Sequence, residues 1–185
     1  MVTPDAEVIR PLRRAEYDQL VLLGAFQDER IELLDGQLVA MSPIGPPHNS
    51  SVRKLNELLV LALHGRAAVG CQTSFAADDL SEPEPDFTVV PVGDYEADHP
   101  SRAYLVIEVA ESSLAKDRVR KQRIYASCGI PEYWIVNLRE RCIEVYTEPG
   151  PSAYSHVEKF EHGQSITLRA FPDVSIAVSA VLPPA

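Results

Sequence analysis

The apolar positions of this chain follow two periods. The runs Phe87-Thr88-Val89-Val90 and Tyr104-Leu105-Val106-Ile107-Glu108-Val109 are short, β-branched and aromatic, as buried strands are. Beyond them the period lengthens. At about 100° per residue, Leu114, Asp117, Lys121, Ile124, Tyr125 and Cys128 share one helical face. Lys116, Arg120 and Arg123 are predicted to point elsewhere. The chain is thus organised around a strand–loop–strand–helix unit over 83–125.

Other elements flank it. Residues 12–26 predict a helix weakened by Gly24 near its end. Asp35-Gly36 between the apolar runs 30–34 and 37–41 predicts a hairpin. Two prolines, Pro46 and Pro47, lead into a long helix over 48–64, with Val52, Leu55, Leu58, Leu59 and Ala62 as its apolar face. A strand is expected over 66–75, and Gly129-Ile130-Pro131 should stop the Lys121 helix. Further strands are expected at 132–137, 141–146, 155–161, 165–168 and 174–178, ahead of a plain terminus from Leu182.

Two carboxylates interrupt this pattern. Asp86 sits at the mouth of the first strand, and Glu108 lies inside the second, where an unpaired charge is costly. A metal ion or a lysine is the usual compensation. Lys121 is the one basic residue centred on the helix side that faces the sheet, and such a lysine either snorkels to solvent or pairs with a buried acid. Two strand acids and an inward lysine predict a metal-dependent phosphodiesterase site. Each residue alone has a plainer reading: Asp86 as a turn residue, Glu108 as an edge charge, Lys121 as part of a solvated basic face.

The rest of the sequence narrows the classes. No GxSxG elbow and no GxxxxGK[ST] phosphate loop occurs. A glycosidase pair needs one carboxylic acid of raised pKa, and a lysine beside it works the other way. At 185 residues, with 45% hydrophobic and 24% charged residues, one domain over 12–180 is expected behind a loosely ordered lead-in over 1–11. No apolar run is long enough to span a membrane, and the first residues do not read as a signal peptide. Cys71, Cys128 and Cys142 lack zinc spacing, so free thiols in the cytoplasm are expected. The net charge of −10 weighs against broad electrostatic binding of DNA. It is unevenly spread: 78–98 holds eight acids and no Lys or Arg, whereas 116–123 holds five bases and one acid.

The order Pro85-Asp86, a strand carrying Glu108, then a lysine resembles the PD-(D/E)XK nuclease superfamily. Ala110 stands where that superfamily usually has its lysine. The runs Glu108-Val109-Ala110-Glu111-Ser112-Ser113, Lys121, and Tyr125 through Gly129-Ile130-Pro131-Glu132-Tyr133-Trp134-Ile135-Val136 are similar to one branch, the Uma2 family. In that family the lysine lies on the following helix. Ile31-Glu32-Leu33-Leu34-Asp35-Gly36, Met41-Ser42-Pro43 and His48 resemble it too, and the likeness runs over about 12–178.

The resemblance implies an α/β, restriction-endonuclease-like fold: a mixed β-sheet flanked by helices, with a β-rich C-terminal extension. It implies a nuclease acting on nucleic acid, DNA in the first instance, with Mg²⁺ or Mn²⁺. Asp86, Glu108 and the main-chain carbonyl of Val109 would be the metal ligands, and Lys121 the catalytic lysine. Glu32 and His48 are further candidates. Glu32 reads either as a cross-strand pair or as a residue beside the metal, and His48 as a locally bonded helix-start residue or an active-site one. The rival is a binding or assembly module that kept the fold without the chemistry. Tyr133 and Trp134 read as core or dimer-contact aromatics, and a homodimer is expected, with these two and the late strands as apolar surface.

Overall fold

Residues 9–183 are described in a computed structural model of the chain. The part of the expected lead-in over 1–8 lies outside them. Just past the lead-in the chain is tied down: Leu12 N–H donates to Gly36 O at 2.9 Å. Helix α1 (Arg14–Leu22) stops ahead of Gly24 and is shorter than the 12–26 expected. Strands β1 (Ile31–Leu34) and β2 (Gln37–Ala40) form the hairpin around Asp35 and Gly36, whose φ values of 48° and 73° are the positive pair that a two-residue turn requires.

Helix α2 (Pro46–Leu63) takes both prolines into its first turn, where missing N–H groups cost nothing. The central sheet follows: β3 (Ala68–Cys71), β4 (Phe87–Val90), β5 (Leu105–Ala110), β6 (Glu132–Asn137), β7 (Cys142–Pro149) and β8 (Tyr154–Phe160), in that spatial order. The β3 strand is only four residues, not the whole of 66–75. All neighbours pair antiparallel except β5 and β6, which run parallel. Parallel strands need a crossover. Here it is a broken helix of three pieces: α3 (Leu114–Lys116), a π-helical stretch (Asp117–Lys121) and α4 (Gln122–Ser127).

Strand alternation then divides the core. Leu105, Ile107 and Val109 of β5, with Trp134 and Val136 of β6, face Val52, Leu55, Leu59 and Leu63 of α2. A hairpin of β9 (Ser165–Leu168) and β10 (Phe171–Ala177) and the short α5 (Val178–Val181) close that layer. Val106 and Ala110 point the other way, with Tyr133 and Ile135, against Tyr125 and Ala126 of α4. Glu108 shares this second face, so the alternation itself aims it at the crossover helix. Truncating Leu55, fully buried, would cost about 2–5 kcal/mol in lost burial and cavity.

Two expectations fail here. Tyr133 and Trp134 are both fully buried and offer no surface to a partner. Leu182 is not a plain terminus: it is fully buried, and its carbonyl accepts from Lys54 Nζ at 3.2 Å. The C-terminal segment thereby locks α5 onto α2.

Candidate active site

A cleft of about 520 Å³ opens where β4 ends beside β5, between the start of α2 and the crossover helix. Asp86, Glu108, Val109, His48 and Lys121 all line it. Glu32 lies behind them, fully buried on β1.

Asp86 is held on three sides. Its Oδ2 accepts from Val109 N–H at 2.8 Å and from His48 Nε2 at 3.1 Å, and its Oδ1 accepts from Gln72 Nε2 at 3.2 Å. A carboxylate only accepts, so His48 carries its hydrogen on Nε2. Burial works against ionisation of Asp86, but the bonds from His48, Val109 and Gln72 outweigh it and hold its carboxyl below the usual range. The carbonyl of Ala110 accepts from Leu138 N–H on the β6 side. Carbonyls alternate along a strand, so that of Val109 faces the opposite edge, toward Asp86.

Glu108 and Lys121 meet on the other side of the cleft. Lys121 Nζ lies 2.9 Å from Glu108 Oε1 and 2.9 Å from Glu32 Oε2. Tyr125 Oη also donates to Glu108 Oε1, at 2.8 Å. The oxygen Oε1 is thus doubly bonded, and Oε2 is left for a ligand. Burial pushes Glu108 up to about 8, against the pull of Lys121. Burial also opposes the charge on Lys121, but Glu108, Glu32 and Asp117 reverse this and raise it, so the lysine stays an ammonium. Glu32 is held below its usual range because Lys121 and Lys116 outweigh its burial.

Lys116 overturns an expectation. Its Nζ lies 2.6 Å from Glu32 Oε1, so it does not point away. Residues five apart stand about 140° apart on an α-helix. A π turn bonds i to i+5 and brings such residues onto one side. The π-helical Asp117–Lys121 stretch therefore lets Lys116 and Lys121 grip the two oxygens of one carboxylate. Arg120 and Arg123 do point elsewhere, both to Asp35 on the hairpin turn.

Two cleft residues escaped the sequence reading. Helical spacing puts Asp117 on the inner face without assigning it a role. It is almost fully buried, accepts from Ser113 Oγ at 2.6 Å, and leaves Oδ1 unpartnered. Gln72 gave no signal at all. It reaches Asp86 from a loop position with φ of 52°, which sequence periodicity does not reveal.

The donor set suits a hard divalent cation. The ligands on offer are carboxylate and carbonyl oxygens, and carboxyls outnumber ammoniums around the cleft. Mg²⁺ is commonly bound through one or two carboxylates plus substrate phosphate and water, which two acids and a carbonyl satisfy. Among the described residues, the one trio of His, Cys, Asp or Glu groups whose ligand atoms all lie within 4.8 Å of one another is elsewhere: Glu140, Cys142 and Glu144. Arg118 pairs with both of those glutamates, and Lys159 with Glu140, so that cluster already has its cations.

The basic segment is spoken for in the same way. Lys116, Arg118, Arg120, Lys121 and Arg123 each pair with a carboxylate of this chain. None stands free to grip a nucleic-acid backbone in this arrangement.

Fold and cleft together define a restriction-endonuclease-like α/β protein with an acid–acid–lysine centre. Comparison with known proteins agrees at the level of family. Residues 14–179 match the model of the Uma2 family, described as "Putative restriction endonuclease", and the chain belongs to that family. Its fold is similar to the crystal structure of a "putative nuclease belonging to DUF820" from Anabaena variabilis, at a TM-score of 0.68 and 13% identity, covering 92% of this chain and 97% of that one. No curated protein sequence matches.

Proposed function

We propose that this protein is a divalent-metal-dependent nuclease that hydrolyses phosphodiester bonds, with DNA as its substrate. The observation that carries the reading is one cleft that joins an ionised, anchored Asp86 to a buried Glu108–Lys121–Glu32 chain centred on the Lys121 ammonium. Asp86, Glu108 and the Val109 carbonyl would hold Mg²⁺ or Mn²⁺. Such an ion polarises a phosphoryl oxygen and lowers the pKa of bound water.

The chain's own residues do the rest. Lys121 remains protonated, so it donates and does not act as the base. An ammonium has three hydrogens, and Glu108 and Glu32 take two. The third is left to orient the attacking water and to meet the charge building on the phosphate. Glu32, gripped by Lys116 as well, fixes the height of Lys121 over the cleft. His48 and Gln72 hold the Asp86 carboxylate in one orientation. Water adds to phosphorus and the bond to one sugar oxygen breaks. The water's proton passes to solvent in the open cleft, and the leaving oxygen takes one back.

The Glu32 and His48 roles proposed here are positioning ones. A cytoplasmic location suits the three free thiols. Among the described residues no helix is long and apolar enough to cross a membrane. The homodimer stays a proposal without Tyr133 and Trp134; β8 at the sheet edge, and the exposed Leu22 and Leu23, are among the surfaces that could carry it.

The paired basic segment and the charge of −10 favour a second reading, a binding module without turnover. Incubation of the purified protein with single- and double-stranded DNA and RNA decides between them. Cleavage with Mg²⁺ or Mn²⁺ that a chelator stops supports the nuclease. Intact substrates under every condition support the module.

A further inference from the structure

A second cavity lies apart from the metal cleft and goes beyond the nuclease reading. It is a groove of about 1230 Å³ beside α1, with Arg30 and Glu84 as the wall it shares with the cleft. Tyr17, Val21, Leu22, Phe26, Ile31 and Tyr95 give it apolar and aromatic sides. At its floor is Glu82, whose side chain is only 3% exposed. Its backbone is pinned to β1, because Glu82 N–H donates to Leu33 O at 2.8 Å.

That carboxylate is poorly compensated. Arg14 Nη1 stands 3.8 Å from its Oε2 and 3.7 Å from Asp18, and His99 Nε2 stands 3.6 Å from its Oε1. These distances are too long for hydrogen bonds, and Oε2 is buried without a partner. Burial, then the neighbouring Asp18 carboxyl, lift Glu82 to about 7, with Arg14 and Ser74 pulling the other way. Glu29, Glu96 and Asp98 add carboxylates to the same walls, against Arg14 and Arg30. Phosphate is repelled from such a groove, and a bare metal ion gains nothing from its aromatic sides.

We propose that this groove binds an organic cation: an ammonium or guanidinium head on Glu82 and Asp18, with an apolar body along Tyr17, Phe26 and Tyr95. The acid pair gains a donor and a counter-charge, and the rings meet a cation they attract. The head comes either from a free amine or from a lysine presented by a partner chain.

The test is an amide-resonance titration of the full chain with three probes: 2-phenylethylammonium, its uncharged isostere 2-phenylethanol, and the peptide acetyl-Leu-Lys-Leu-amide. The free amine or the peptide should give saturable shifts at Ser74, Glu82 and His99, and the tighter of the two assigns the source. The alcohol should not. Glu82→Gln and Asp18→Asn should each weaken the charged probe by about tenfold. No saturable shift with either charged probe overturns the proposal, as does equal binding of the alcohol or wild-type affinity in both variants. Mg²⁺-dependent cleavage does not enter this readout, so the groove and the nuclease reading fail separately.

Discussion

Lys121 Nζ lies 2.9 Å from Glu108 Oε1, and both side chains are almost completely buried. A buried pair of this kind is weak evidence for stability, since desolvation offsets much of the attraction. Its presence in a cleft, with a second carboxylate on the same ammonium, fits the proposed catalytic role better than a purely folding one.

Removing one member alone should be costly all the same. Lys121→Met leaves Glu108 and Glu32 facing each other without their shared cation, at about 3–5 kcal/mol. Combining it with Glu108→Gln should return part of that loss. Urea unfolding of the single and double variants measures both. A Lys121→Met protein as stable as wild type would remove the buried ion pair from the account.

Tyr125 offers a gentler perturbation. Its hydroxyl donates to Glu108 Oε1 at 2.8 Å inside the core. Tyr125→Phe keeps the ring against Tyr133 and Phe75 and deletes only that bond. A loss of about 1–3 kcal/mol is expected, because the acceptor is a carboxylate. Thermal unfolding at two pH values checks it, and an unchanged midpoint would mean that the hydroxyl is idle.

How far the sequence could be read explains which of these residues were in view. Glu108 was legible because a charge inside an apolar strand run demands a partner, and Asp35-Gly36 because few dipeptides accept two positive φ values. Lys121 was legible because α-helical spacing put it on the inner face. Lys116 was not, because the spacing rule assumes an α-helix and the π turn breaks it. Tyr133 and Trp134 were ambiguous for a different reason. A strand buried on both faces shows no alternation, so an apolar run in the core looks like one awaiting a partner. Leu182 was hidden by the prolines that follow it, which read as a tail.

Glu82 sets a pH dependence of stability. Its folded carboxyl is raised to about 7 by burial and then by Asp18. A raised acid favours the protonated form in the fold. Its contribution is therefore complete below the ordinary glutamate range and is lost as pH climbs through about 7. Wild type should lose stability over that window, and Glu82→Gln should flatten the loss by roughly 1–2 kcal/mol once screening by groove water is allowed for. Urea unfolding on both sides of the window measures it; parallel pH profiles for the two proteins would contradict it.

Assembly is checked by light scattering across a concentration series. A homodimer gives twice the chain mass of 20.4 kDa, and 20.4 kDa at every concentration would end that part of the proposal.

The proposed metal centre is tested most directly by Mn²⁺ binding, followed by calorimetry on wild type, Glu108→Gln and Lys121→Ala, each shown folded at the working temperature. Wild type should bind. Glu108→Gln should bind markedly more weakly, since it loses a ligand charge at nearly constant shape. Lys121→Ala should bind as well as wild type or better, since a competing cation has gone, while its turnover falls by about 10²–10³. Equal Mn²⁺ affinity in wild type and Glu108→Gln, or no binding by wild type, would contradict the account.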